Sequence, residues 1–197
     1  MRARIFGTQQ KPRFGRRTRS LAVTAVGAGA VGLVRRLVRR SGERQGRDSM
    51  TEENKRIARR AIEEIYNAGK LEVVDELLAP DCVSYDVAMP EPLRGPDALK
   101  QQAQGYRSAF PDLRLTIDQQ LAEGDSVCTR WTARGTHRGE LFGIAATNRE
   151  ATTTGITIDK LRDGRIVESR TNWDALGLMQ QLGAISMPSP AETKAKA

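Results

Sequence analysis

An α+β domain, with three helices followed by a long and strongly bent antiparallel sheet, is predicted by three features of this sequence. Apolar residues recur mostly at helical spacing up to Phe110 and mostly alternate with polar ones from Leu113 to Trp173. Asp163-Gly164 stands between two strand-like runs and signals a two-residue hairpin, because both central turn positions need φ > 0. A break in charge marks where the domain begins: residues 1–49 hold 13 Lys and Arg against 2 Asp and Glu, and residues 50–197 hold 19 against 22. The net charge of +8 therefore belongs to the first quarter of the chain, and the mildly acidic remainder sets nucleic-acid binding by the domain aside.

Residues 1–49 read as a basic, mostly non-globular extension. A basic stretch, KPRFGRRTR, precedes an apolar run from Leu21 to Val34 and a second basic cluster, RRLVRR. At about 1.5 Å per residue that run falls short of a hydrocarbon core about 30 Å thick. The first reading is that the functional chain starts at Met50 and acts in the cytoplasm. Arg16-Arg17 ahead of Leu21, with Ala28-Gly29-Ala30 as a small-x-small site, resembles a twin-arginine export segment, although RRLVRR departs from that pattern. A peripheral membrane anchor is the third reading, so membrane contact is expected only through residues 1–49.

The domain is expected over residues 50–185. Ser49-x-x-Glu52 is a capping-box pattern, and Ile57, Ala61, Ile62, Ile65 and Tyr66 share one helical face before Gly69 ends the helix. Leu71, Val74, Leu77 and Leu78 predict a second short helix stopped by Pro80, and Cys82 to Val87 alternates as a strand. Pro90, Pro92 and Pro96 mark a loop that opens a third helix, with Asp97 in its first turn and Leu99, Ala103, Tyr106 and Phe110 as its apolar stripe.

Leu113, Leu115 and Ile117 alternate, Glu123-Gly124-Asp125 turns the chain, and Ser126 to Arg138 reads as a long strand. On it Val127, Trp131 and His137 share one face and Arg130, Arg134 and Arg138 the other. Strands over Glu150 to Leu161 and Arg165 to Trp173 flank the hairpin. With a two-residue loop and regular pairing, Ile156 and Ile158 fall on the face of Val167 and Trp173, and Thr157 and Asp159 on that of Glu168 and Arg170. At Asp174 the period turns helical through Leu176, Met179 and Leu182, with Gly183 as the stop. Residues 186–197 lack apolar period and read as a disordered tail.

A carboxylate at a strand-to-helix handover has two readings, a helix N-cap worth about 1 kcal/mol or a general base at the mouth of a pocket. Cys82 and Cys128 lie singly in strand-like runs and His137 is the lone histidine, so free thiols and no metal site are expected.

Four segments carry a family likeness: AFPDLRLTID (Ala109 to Asp118), GTHRGELFGI (Gly135 to Ile144), LRDGRIVE (Leu161 to Glu168) and DALGLMQQLG (Asp174 to Gly183). In this order and spacing the chain resembles the SnoaL-like polyketide cyclase, or ester cyclase, branch of the nuclear-transport-factor-two-like superfamily, from Met50 to about Ile185. The resemblance implies a cone-shaped α+β barrel with a deep apolar pocket and a homodimer through the outer sheet face. It also implies a cofactor-free aldol closure in which an aspartate near the end of the last strand is the base. Asp174 matches that position, and His137 matches a recurrent pocket histidine. Tyr85-Asp86 and Arg170 stand where the family commonly has His and Trp.

Removing a proton α to a carbonyl needs a base stronger than a solvated carboxylate and a donor for the enolate oxygen. A dry pocket supplies the first by penalising the charged form of Asp174. Neutral His137 could supply the second, a contribution of roughly 3 kcal/mol; its plain alternative is a strand-end histidine bonded to solvent or a loop carbonyl. Tyr106, Phe110, Trp131 and Trp173 are candidate walls, with ordinary core packing as the alternative, and Tyr85 and Arg170 complete the candidate ligand-contacting set. Three functions stay open: a cyclase or isomerase acting on a small hydrophobic carbonyl compound, a non-enzymatic binder of such a ligand, and a limonene-epoxide-hydrolase-like enzyme, for whose Asp-Arg-Asp set no matching motif is found.

Overall fold

The computed structural model describes residues 45–185. The expectations for residues 1–44 and for the tail lie outside these residues.

Residues 45–60 are helical and continue into a π-helical turn, Ala61–Asn67; together they form α1. The helix is already formed ahead of Ser49, so Ser49 is not its N-cap: amides near residue 52 bond within the helix and leave no orphan donor for a capping box. Gly69 ends the segment at φ 71°, a conformation glycine adopts freely. Ile57, Ile62 and Ile65 are buried, as their spacing predicts. A 3-10 turn, Leu71–Val73, leads into α2 (Val74–Leu77), whose Val74 and Leu77 are almost fully enclosed. Each such aliphatic side chain contributes about 1.5–3 kcal/mol by leaving water. Pro96 sits in the first turn of α3 (Gly95–Ala109), where its missing N–H is no loss.

Six strands form one sheet: β1 (Leu78–Asp86), β2 (Leu93–Arg94), β3 (Arg114–Glu123), β4 (Ser126–Thr136), β5 (Glu150–Arg162) and β6 (Arg165–Trp173). Their order is β2-β1-β6-β5-β4-β3. Two expectations are corrected here. The sheet is not closed, since β2 and β3 are its two edges, and it is mixed, because β1 pairs with β6 in parallel. Strand β1 also begins at Leu78 rather than Cys82. Pro80 has no N–H to give to a ladder, and the pairing with β6 is irregular between Leu78 and Val83.

The hairpin forms at Asp163-Gly164 with φ 53° and 74°, and Arg162 pairs with Arg165. The face assignment beyond it is reversed, and a bulge is the reason. Leu161 pairs with Ile166 but Lys160 pairs with Glu168, so one extra residue on β6 shifts the register. A one-residue slip exchanges the faces of every residue beyond it. Thr157, Asp159 and Leu161 consequently turn inward with Thr171, Ser169 and Ile166, while Ile156 and Ile158 are exposed. On β4 the expected parity is found, with Val127, Trp131 and His137 buried.

Asp174 caps α4 (Ala175–Leu182) and Gly183 ends it at φ 79°. The Gln181 side chain fastens this helix to the sheet, its Nε2 donating to Thr152 O at 2.8 Å and its Oε1 accepting from Thr152 N at 2.9 Å. Buried side chains form three groups: one among α1, α2, α3 and the inner sheet face, one around Phe110, Leu178 and Leu182, and one of Ile62, Trp131 and Ala133. Both cysteines are free; Cys82 is buried and Cys128 half-buried.

Candidate active site

Between α1, α3 and the inner face of the sheet lies a cavity of about 150 Å³, lined by members of all three groups. Its walls are mostly apolar. Four of the predicted wall residues, Tyr106, Phe110, Trp131 and Trp173, line it. Tyr85 and Arg170 do not: they face each other across β1 and β6 on the opposite side of the sheet, the guanidinium 3.9 Å from the ring centroid.

Asp174 is also placed elsewhere. Its Oδ1 accepts from Gly177 N at 2.7 Å, and it is exposed and absent from the cavity wall. The handover from β6 to α4 comes one residue after the inward-facing Trp173, so the carboxylate turns to the orphan amides of the helix start. His137 is completely buried but sits behind Phe110, with ring centroids 5.3 Å apart. Thr147 N donates to His137 Nδ1 at 3.3 Å, which assigns the ring hydrogen to Nε2, and Nε2 has no partner among the described residues. Burial pushes the His137 pKa down. Its backbone accepts from Asn148 N and donates to Arg149 O, so the residue ties off the loop over residues 138–148.

Two other carboxylates line the cavity. Asp86, at the end of β1, accepts from Trp173 Nε1 (2.8 Å) and Ala88 N (2.9 Å) through Oδ1, and from Gln102 Nε2 (2.8 Å) and Tyr106 OH (3.1 Å) through Oδ2. Four donors occupy the four lone-pair sites a carboxylate offers. Asp86 thus fixes two aromatic walls and has no site left for a proton from a ligand. Asp159, in the last third of β5, is 6 % exposed and has no ion pair among the described residues. Burial pushes its pKa up to about 6, partly offset by the Ser169 hydroxyl opposite it. The Tyr66 side chain also lines the cavity, and its pKa is raised by burial first and then by the charges of Asp86 and Asp159. The π-helical turn that carries Tyr66 widens α1 at the cavity, a feature often found at functional sites.

Asp159 and Tyr66 were visible as residue types but not as site residues. An Asp inside the run ITIDKL (156–161) faces inward only once the β6 bulge is counted, and nothing in the residue types around Val167 announces that bulge.

The sequence profile of the SnoaL-like polyketide cyclases matches residues 56–182. An aklanonic acid methyl ester cyclase of Streptomyces peucetius is 30% identical over 126 residues, which cover 63% of this chain and 87% of that one. A nogalonic acid methyl ester cyclase of Streptomyces nogalater is 27% identical over 119 residues, 60% of this chain and 89% of the other. Among solved structures, IdmH of Streptomyces antibioticus, described as a candidate polyketide cyclase, aligns with a TM-score of 0.58 at 34% identity over 66% of this chain and 98% of its own. The matched region runs from the middle of α1 to the end of α4, the same span that encloses the cavity, and on it this chain belongs to the SnoaL-like polyketide cyclase family.

Proposed function

We propose that the chain is a cofactor-free ester-cyclase-type enzyme that binds a small apolar carbonyl compound and removes a proton α to its carbonyl with Asp159. One observation carries this reading: a buried carboxylate without a counter-ion stands on the wall of an apolar cavity. Burial penalises the charged form, so the ionised base gains by accepting a proton, and a pKa of about 6 leaves it mostly ionised at neutral pH. In the step itself the Cα–H bond breaks and its proton passes to an Asp159 oxygen. The electron pair becomes an enolate, which attacks a second carbonyl of the same molecule, and the protonated Asp159 returns the proton to the new alkoxide. Atoms and charge balance with no cofactor.

Asp174 then serves the fold as a cap, and the base moves from the end of β6 to the last third of β5. No arginine stands between Asp86 and Asp159 among the described residues. Arg134 reaches the cavity edge but pairs with the exposed Glu150, which speaks against the epoxide-hydrolase arrangement. The relatives named above suggest polyketide methyl esters as the class to try. Incubation with aklanonic and nogalonic acid methyl esters, followed by chromatography, tests the reading: the wild type should cyclise one of them and Asp159→Asn should not. Binding of these esters without turnover at any pH would leave a non-enzymatic binder.

Among the described residues no helix is long and apolar enough to cross a membrane. We place the domain's activity in the cytoplasm, on the support of its two free thiols, and cell fractionation checks this against export. Exposed Leu121, Ile156 and Ile158 support a homodimer through the outer sheet face, which light scattering tests directly.

A further inference from the structure

The wall around Asp159 holds a polar block in an otherwise apolar cavity. Asp159 pairs with Ser169 across β5 and β6, and Thr157, two residues along on the same face, pairs with Thr171. Trp131 Nε1 donates to Thr157 Oγ1 at 3.0 Å, and Thr157 Oγ1 meets Thr171 Oγ1 at 3.0 Å. The hydrogens in this chain can be counted. An indole nitrogen only donates, and each hydroxyl brings one hydrogen, so three donors enter a chain with two contacts. The Trp131 hydrogen is spent on Thr157 and one hydroxyl hydrogen on the contact between the threonines. One hydroxyl hydrogen remains, and neither threonine has a further partner among the described residues. Both line the cavity.

We infer that the Thr157–Thr171 hydroxyl pair, loaded by Trp131, is the donor that holds the carbonyl oxygen of the ligand and the oxyanion that develops on it. The inference rests on the proposed proton abstraction by Asp159 and supplies the partner that step needs. Residues two apart on a strand lie about 7 Å apart on one face. With a hydrogen-bond reach of about 3 Å on each side, Asp159 and the threonine pair bracket a carbonyl oxygen and the carbon next to it. The spare hydrogen points to an acceptor-only group, so the ligand class is a ketone, aldehyde or ester carbonyl presented edge-on to β5 and β6. The Trp131 bond also polarises the hydroxyl that it feeds, which strengthens the bond to a growing negative charge. Tyr66 is the competing donor on the opposite wall.

The test uses the full chain and two probes of similar shape, 4-methylbenzaldehyde, which has no enolisable hydrogen, and p-xylene, which has no carbonyl. Dissociation constants come from calorimetry, and the carbonyl stretch of the bound aldehyde comes from isotope-edited infrared spectra. The stretch should lie below its value in hydrocarbon solvent. Thr157→Val and Thr171→Val should each keep that shift, because either leaves one unspent hydroxyl. The double variant, carried on Trp131→Phe so that no indole hydrogen is set free, should lose it and show a ratio of aldehyde to p-xylene affinity about tenfold lower than wild type. Should the double variant fail to melt cooperatively, Tyr66→Phe decides. A shift that persists in Tyr66→Phe supports the threonine pair, and one that vanishes there overturns it. A shift that survives in a folded double variant also overturns it. If both probes bind but the stretch is unshifted in wild type, this inference alone falls. If neither probe binds, the proposed function falls with it.

Discussion

Replacing Asp159 by Asn removes a titrating group from the cavity wall and keeps its shape. An ordinary Asp titrates near 3.8 and Asp159 near 6, so the shift is about 2 units. At about 1.4 kcal/mol per unit this is about 3 kcal/mol of differential stability. The sign follows from proton counts. Between about pH 4 and pH 6 the folded chain holds a proton that the unfolded chain has released, so wild-type stability falls as pH rises through that window and stays lower above it. Asp159→Asn has no such term. Urea denaturation of both proteins from about pH 3.5 to pH 7.5 gives the stability difference at each pH, in which the contributions of other groups cancel. Wild type minus variant should fall by about 3 kcal/mol across the range. A flat difference would mean that Asp159 is solvated or paired in the folded protein, and the reasoning that makes it a base would be wrong.

Asp174→Ala should cost about 1 kcal/mol in stability through the lost Gly177 N bond and leave turnover within about twofold of wild type, as urea melts and cyclisation rates would show. Loss of turnover by orders of magnitude in a folded Asp174→Ala would return the base to the end of β6. Trp173→Phe removes the donor to Asp86 Oδ1 and should cost about 1.5–3 kcal/mol, readable in the same melts. Gly155→Ala would set a methyl group against the Trp131 ring and 2.8 Å from Trp173 Cβ, so it should destabilise by about 1–3 kcal/mol and weaken probe binding in calorimetry.

Much of the fold is legible in the sequence because its signals are local. The alternation of β4, the Asp-Gly hairpin, Pro96 opening α3 and Gly183 closing α4 each depend on a few neighbouring residues, and each is found. The sheet is not antiparallel throughout, because the parallel pairing of β1 with β6 joins residues more than eighty positions apart and leaves no local trace. The site was harder still. Aromatic walls follow from periodicity, yet Tyr85, Arg170 and Asp174 were assigned to a cavity they do not line. For Asp174 the cap bond at the helix start takes the carboxylate away from the cavity, and Tyr85 with Arg170 turns to the opposite face. Asp159 is expected on the face of Glu168 and Arg170, and a single bulge at Val167 parts it from them by reversing the parity of β6 against β5.

Deuterium uptake at the α-carbon of 1-indanone, followed by NMR in D2O with catalytic amounts of the full chain, tests the central claim most directly. This bicyclic apolar ketone needs only a base beside its α-hydrogen and no second carbonyl. The account predicts exchange well above the buffer rate, rising with pH through about 6 to a plateau as Asp159 ionises, and falling to the buffer rate in Asp159→Asn. Exchange that is equally fast in wild type and Asp159→Asn would contradict it.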